Sequence, residues 1–506
     1  MIKKNIIANY IGQFYLAISG IIIVPFYLSR LGSEGYGLIA FFIMLQSWMQ
    51  LLDMGISTTI SREAAISKNS SNNAIFFRQI QRVCFYIFFV ISIVVFLSGY
   101  FSSNYIIHNW LVSNLSYDTL NVSLISILCI ISLRWLCGPW KSTLVGLEKQ
   151  IPFNIINVFV ITLKFPISIL ILSYFNNLLI VYFIYQIIVS IIEYILFYMF
   201  SSYYTPYNKT KIRVDKKFLY NSIPIFKFSL GIAFISSVWV LITQSEKLIL
   251  SHILQLEDFG YYSMGVLSAS IVMIFSQPII QAILPRLTVL CANNKNKELI
   301  SLYKISTRAV SSIIFPVCIL LSVFSEQIIY IWTGSIEISK LVSPILSWYS
   351  LGNGLFAISS FAYYIQYAHG DIKLHIIGNV IFLIILMPTI YFSAIYHGSL
   401  GVAKVWFYQN LIYLLVWTGI VHRKFLPKEH IRWLLHDISS FIFIPLVILF
   451  FHNKIVEILP NSRLVFFLSI SLLGISCLIM NILIFKKMNK SIFSHSEMDT
   501  IPNWLQ

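Results

Sequence analysis

The sequence predicts an all-α integral membrane protein of about fourteen transmembrane helices, set out as two like-oriented six-helix lobes followed by two further helices. Three observations predict it: an apolar composition, regularly recurring apolar runs, and a short loop that is written twice. Of 506 residues, 58% are hydrophobic and only 11% charged, and the mean hydropathy is +0.82. A soluble fold has no interior large enough for that much apolar surface. Runs of roughly 20 apolar residues are each long enough to cross ~30 Å of hydrocarbon as a helix, the form in which a segment satisfies its own backbone hydrogen bonds there. Their centres fall near residues 18, 47, 92, 133, 163, 190, 239, 273, 316, 355, 384, 410, 442 and 474. The first begins after "MIKK" with no small-residue cleavage pattern, and is expected to be a retained span.

Orientation follows from the basic residues. Of 35 Lys and Arg, 27 lie at the termini or in alternate loops and their helix ends, including "KTKIRVDKK" at 209–217. Four (Arg30, Lys340, Lys454, Arg463) lie on the opposite side, and four (Arg134, Lys164, Lys247, Lys404) fall inside spans. The positive-inside rule then puts both termini of a multi-pass membrane protein in the cytoplasm. The net charge of +16 is mostly topology. Because it is scattered over short loops, nucleic acid is not an expected partner.

The loop "LSRLGSEGYG" at 28–37 carries Leu31, Glu34, Tyr36 and Gly37, and "LQLEDFG" at 254–260 repeats the frame as Leu254, Glu257, Phe259 and Gly260. The match continues collinearly. Glu34 and Glu257 are 223 apart, Arg62 and Arg286 224, Arg82 and Arg308 226, and "GLEK" at 146–149 returns as "GDIK" at 370–373, 224 further on. An offset that carries six spans preserves their direction, so the pattern predicts a parallel duplication. The lobes are expected at 1–214 and 215–425, with two additional helices and a cytoplasmic tail at 426–506.

Nothing in the chain announces catalysis. The six cysteines form no CxxC, and five lie in apolar runs as small packing residues. His369 and His375 flank "GDIK" without a further Cys or carboxylate cluster, and no GxSxG, P-loop or HExxH is present. No enzyme, metal site or cofactor is expected.

Four stretches carry a family resemblance: "IIIVPFYLSRLGSEGYGLIAFF" at the first span and its exit, "LDMGISTTISREAA" after the second, "GLEKQIPFNIIN" between the fourth and fifth, and "SEKLILSHILQLEDFGYYS" at the seventh. Over about residues 1 to 425 the chain resembles the multidrug/oligosaccharidyl-lipid/polysaccharide (MOP) exporter superfamily and, within it, the polysaccharide transporter family of Wzx-type flippases. The resemblance implies a MATE-like, V-shaped pair of lobes. It also implies a cargo, an undecaprenyl-diphosphate-linked oligosaccharide such as an O-antigen or capsule repeat unit, moved to the outer face by alternating access.

The residues themselves point the same way. A charge inside a bilayer costs ~2.5–3.5 kcal/mol on insertion scales, so a retained one usually faces a cavity or a partner. Gln46, Gln50, Asp53 and Ser57 fall on one helical face, and the 224 offset carries them to Ser270, Ile274, Gln277 and Gln281. These stripes are expected to line a cleft; helix-to-helix hydrogen bonding is the alternative. Arg134 and Lys141 share a face around Pro139, Asn157, Lys164 and Ser168 share another, and Gln186, Ser190 and Glu193 a third. Arg134 has no acid at i±3 or i±4, and its planar fork suits phosphate oxygens. A Lys164–Glu193 pair and a snorkelling Lys141 are the plainer alternatives. Arg134 and Lys247, with Lys164, are therefore candidate ligands of a diphosphate, while Gln46, Gln50, Gln277 and Gln281 are candidates for sugar hydroxyls. Asp53, Glu193 and Glu246 are the intramembrane acids that could couple transport to an ion.

Three functions compete. The first is a flippase for a polyprenyl-diphosphate-linked glycan, in contact with membrane lipids and with other polysaccharide assembly proteins. The second is a MATE-like cation-coupled drug exporter or a lipid II flippase on the same architecture. The third is a membrane glycosyltransferase or polymerase. An exporter of organic cations should concentrate acids in its spans, and a transferase should carry a larger external loop than 102–120, which holds only Asp118 as an acid and no Arg.

Overall fold

The computed structural model describes residues 2–68, 70–175, 178–205, 237–458 and 462–493. Within these, the side chains of 2–8, 10, 11, 71, 277, 278, 281, 282, 449, 452–458 and 490–493 lie outside the description. So do the basic stretch 209–217 and the expected lobe boundary at 214/215.

Helices make up nearly all of the described chain, and no β-sheet occurs among the described residues. Ten of the described helices, rather than fourteen, are long and apolar enough to cross a membrane. The difference has a local cause. Gly12–Asp53 and Lys373–Phe425, of 42 and 53 residues, each run through one non-helical glycine, Gly32 (φ 75°) and Gly398 (φ 60°). Left-handed backbone of this kind is open to glycine at little cost, so each run turns without a conventional loop. The expected spans near 239 and 442 fall on a helix described over 237–253 and on Phe443–Ile458, both short of 18 residues. The chain is a multi-pass membrane protein.

It divides into two compact units, Met1–Gly260 and Tyr261–Gln506. In the first, Tyr117–Leu136 packs between Ser71–Tyr105 and Leu178–Tyr204, while Gln150–Thr162 packs on Ile2–Trp48. Serine side chains start two of these helices: Ser70 accepts from the Asn73 amide at 3.2 Å and Ser116 from the Thr119 amide at 3.4 Å. In the second unit, Ile336–Ser359 packs against both Asn296–Val323 and Lys373–Ile412. The C-terminal helices Phe443–Ile458 and Arg463–Phe493 lie along Asn296–Val323, and Asp437, just ahead of them, receives Arg308 Nη2 at 2.6 Å.

The twice-written loop meets itself inside the first unit. A Cβ on Gly37 would stand 1.9 Å from the Leu256 carbonyl oxygen, and one on Gly260 would stand 3.1 Å from the Gly37 backbone. Backbone thus touches backbone where both copies of the frame have glycine. Glu34 fixes the neighbouring connection, accepting from Ser113 Oγ at 2.7 Å and Asn114 Nδ2 at 2.8 Å. That connection reaches the second copy through the Leu256 amide, which donates to the Val112 carbonyl at 2.8 Å. The other repeated pair also shares a use, since Lys68 meets Glu148 at 3.0 Å and Lys424 meets Asp371 at 2.5 Å. Lys424 holds the Asp371 carboxyl below its usual range by donating a hydrogen bond to it.

Candidate functional site

A cavity of about 650 Å³ opens within the first unit. Four segments place its charged side chains. Arg134 comes from the last turn of Tyr117–Leu136, Lys141 from Gly138–Gly146, Lys164 from the turn Leu163–Ile167, and Glu193 from Leu178–Tyr204. The helix carrying Arg134 ends at Cys137 and restarts at Gly138 with Pro139 near its first position, where a missing N–H costs little.

Glu193 is the hub. Its side chain is 3% exposed; Lys141 reaches Oε1 at 2.6 Å, Lys164 reaches Oε2 at 2.6 Å, and Arg134 Nε lies 3.8 Å from Oε2. Arg134 also donates to Gln46 Oε1 at 3.0 Å, Gln186 Oε1 at 2.8 Å and Ser190 Oγ at 3.1 Å, with its guanidinium 5.2 Å from the Phe42 ring centre. The absence of an acid at i±3 or i±4 therefore says nothing of its partners, because the anion comes from a neighbouring helix. Lys141 likewise does not snorkel to the surface; it turns inward to Glu193. Glu193 is the only acid among the described lining residues, so three basic groups face one carboxylate. Eight carboxamides complete the wall: Asn9, Gln13, Gln46, Gln50, Gln150, Asn154, Asn157 and Gln186.

The turn Leu163–Ile167 explains how Lys164 gets there. Pro166 cannot donate, and the helix widens to a π turn, leaving carbonyls without their usual intrahelical partners. They are supplied from other helices: Tyr185 Oη donates to the Leu163 carbonyl at 2.8 Å, and Gln186 Nε2 and Tyr27 Oη donate to that of Lys164 at 3.0 and 3.2 Å. The wider turn also shifts the face, so Asn157 and Lys164 line the cavity while Ser168 pairs with Tyr27 Oη at 2.8 Å.

The polar stripe expected on span 2 is broken in the same manner. The first long helix stops at Trp48, a tight turn covers Met49–Asp53, and Met54 and Gly55 are left-handed (φ 44° and 70°) before Ile56–Ile66 begins. Gln46 and Gln50 line the cavity, but Asp53 does not. It accepts from Ser57 Oγ at 2.6 Å and from the Ser57 amide at 3.3 Å, the position of a group that caps the next helix. Lys247 and Glu246 belong to the helix over 237–253 and are not among the lining residues; Glu246 is buried. The side chains of Gln277 and Gln281, on Ile271–Ala292, lie outside the described residues. Gln150, Asn154 and Asn157 escaped the sequence reading as a set, although their spacing of i, i+4 and i+7 puts them on one face.

A helical bundle of this order, with a charged and amide-rich basin sunk among membrane spans, has counterparts of the same fold among solved structures. The fold is similar to the lipid II flippase MurJ in an inward closed conformation (TM-score 0.63, 16% identity, 95% of this chain and 99% of that one). It is also similar to an inward-facing multidrug resistance MATE transporter of the MOP superfamily (0.66, 11%, 82% and 94%). A MOP superfamily transporter from Pyrococcus furiosus matches at 0.52, with 12% identity over 82% of this chain and 94% of that one. No curated protein matches the sequence. The model of the polysaccharide biosynthesis protein family matches residues 2–291, and the chain belongs to that family.

Proposed function

We propose that this protein carries an undecaprenyl-diphosphate-linked oligosaccharide from the cytoplasmic to the outer face of a bacterial inner membrane by alternating access, with both termini in the cytoplasm. The observation that carries the reading is the composition of one cavity: three basic side chains against a single carboxylate, surrounded by eight carboxamides. A diphosphate entering a low-dielectric space needs cations, and sugar hydroxyls need amide donors and acceptors. Membership of the polysaccharide biosynthesis protein family supports a glycan as cargo. Glu193 holds the three cations in place. Three cations against one carboxylate leave a surplus of positive charge, so phosphate oxygens can join cations that Glu193 has already gathered.

A second reading, lipid II as the cargo, is favoured by one observation: the likeness to MurJ extends over 95% of this chain, against 82% for the MATE structure. An exporter of organic cations is disfavoured by the surplus of basic groups in the cavity.

The test is Arg134→Ala in a complemented deletion strain, scoring surface polysaccharide with protein level measured in the membrane fraction. Export should fall at least ~100-fold, the cost of losing a charged hydrogen-bonding group worth about 3 kcal/mol. Protein level should hold, because Glu193 keeps both lysines. Lysine at 134 should restore part of the export, since it keeps the charge and loses the fork. Undiminished export would sink the assignment, and a wall-synthesis defect with intact polysaccharide would move the cargo to lipid II.

A further inference from the structure

The second unit contains a chain of two histidines and a tyrosine that takes no part in the site above. Lys373–Ile412 passes into a π turn, Tyr413–Trp417, and Thr418–Phe425 follows. A π turn releases carbonyls from the intrahelical ladder, and that of Leu415 lies 3.0 Å from His430 Nε2. A Cβ on Gly419 would stand 3.0 Å from the His430 ring, so the glycine leaves the room the ring occupies. On its other side His430 Nδ1 lies 3.1 Å from His422 Nδ1, and His422 Nε2 lies 2.8 Å from Tyr303 Oη. His422 and Tyr303 are buried and His430 is half-buried, so the chain runs from the surface inward.

Chemistry fixes every proton in this chain. A carbonyl can only accept, so neutral His430 carries its proton on Nε2 and accepts at Nδ1. His422 therefore donates from Nδ1 and accepts at Nε2 from the Tyr303 hydroxyl. Two neutral rings satisfy all three bonds, and a further proton has no place. On His430 Nδ1 it meets the proton of His422; passed through His422, it makes Nε2 a donor to Tyr303, whose own proton has no other acceptor among the described residues. The strap that carries His430 leads into the C-terminal helices. Its other ties are Lys304 to Glu429 at 2.6 Å, Trp433 Nε1 to Thr307 Oγ1 at 3.1 Å and Arg308 to Asp437 at 2.6 Å. Lys428, at its start, is held in left-handed backbone (φ 68°), which a non-glycine residue keeps only where its surroundings impose it.

We infer that His422 and His430 form a proton-binding site that latches the strap 427–438: neutral, the pair ties the strap to Thr418–Phe425, and protonated, it releases it. The elements packed on the pair carry Arg423, Lys424, Arg432 and His436 as further basic groups, besides Lys304 and Arg308. The described acids there are already matched, Glu429 with Lys304 and Asp437 with Arg308, and Lys424 is matched with Asp371. Tyr363, Tyr364, Tyr367 and Tyr413 stay neutral in this range. An imidazolium would thus meet a mostly basic neighbourhood. Burial, with Arg423 nearby, holds His430 below the ordinary histidine value, while the Leu415 carbonyl pulls the other way. The unlatched strap therefore binds the proton better, so the latch is whole above about pH 6.5 and weakens as pH falls below it. On the proposed orientation the strap faces the cytoplasm, and the signal is acidification of the cell interior. The inference is independent of the cargo, since it uses none of the residues around Glu193.

Hydrogen exchange of the full-length protein in detergent is read peptide by peptide by mass spectrometry at about pH 7.5 and about pH 5.5, corrected for the intrinsic pH dependence of exchange. In the wild type, protection over 427–438 should fall about tenfold or more at the lower pH, the effect of one proton taken up a unit below 6.5, while 336–359 in the same unit holds. His430→Gln keeps a donor and an acceptor but takes up no proton, and should cut the response to less than about threefold. Adding His422→Gln should remove what is left. His436→Gln, on the same strap with its side chain 57% exposed, should respond as the wild type does. If the double variant does not insert, the wild-type profile and the single variant decide the matter. Equal protection of the wild-type strap at both pH values, or a full response from His430→Gln, overturns the inference. So does a loss that begins only below about pH 5, which would assign it to carboxylates such as Asp437. Loss of protection spread evenly over the whole unit overturns it as well, since that is general acid unfolding.

Discussion

At the residue scale, Glu193 matters more than the arginine that draws attention in the sequence. Removing one partner of a buried ion pair leaves an uncompensated charge and costs about 3–5 kcal/mol, and Glu193 has three partners. Glu193→Gln should therefore lower the thermal midpoint and the amount of protein in the membrane, whereas Arg134→Ala should lower neither. Adding Lys164→Gln to Glu193→Gln should recover part of the loss, and a double variant no more stable than the single one would refute a role for charge balance. The polar and charged residues of this site were readable one by one in the sequence: Arg134, Lys164, Gln186, Ser190 and Glu193 each stand out in apolar surroundings. Their partnership was not. A search at i±3 and i±4 sees only one helix, and every bond that Arg134 makes from its side chain crosses to another.

At the scale of elements, periodicity found the helices but assumed that each was regular. It failed where the backbone departs from 3.6 residues per turn, at Met54–Gly55 and at Leu163–Ile167. The first departure turns Asp53 into a capping group, and the second carries Ser168 away from the cavity. Pro166 marks the second in the sequence, but the hydroxyls and amide that serve its orphaned carbonyls come from distant positions. The repeated glycine was legible as a repeat and acquires a reason only in three dimensions. Gly37→Ala places a methyl against the Leu256 carbonyl and should cost at least about 1–3 kcal/mol, the usual range for overpacking. Gly20, with nothing within 4 Å of its Cβ position, is the control, and Gly20→Ala should leave the thermal midpoint unchanged or slightly raised. Equal melting of the two variants would refute the close approach.

At the scale of the whole molecule, the C-terminal helices are held to the second unit by charge as well as by apolar packing. Arg308 is 8% exposed and Asp437 1%, so Asp437→Ala should destabilise that attachment by about 3–5 kcal/mol and admit protease to the segment after Leu426 in the otherwise folded protein. Unchanged digestion would show that packing alone suffices. Glu193 also bears on how the chain enters the membrane. Synthesis delivers Arg134 and Lys141 first, then Lys164, and the carboxylate that neutralises them arrives on Leu178–Tyr204, the last of these helices. Until then two consecutive segments carry three basic groups with no acid of this cluster to meet them, at ~2.5–3.5 kcal/mol for each one exposed to lipid. The order of residues along the chain thus favours delivery of these helices into the bilayer as a bundle, with the earlier segments sheltered at the insertion machinery until residue 193 has been made.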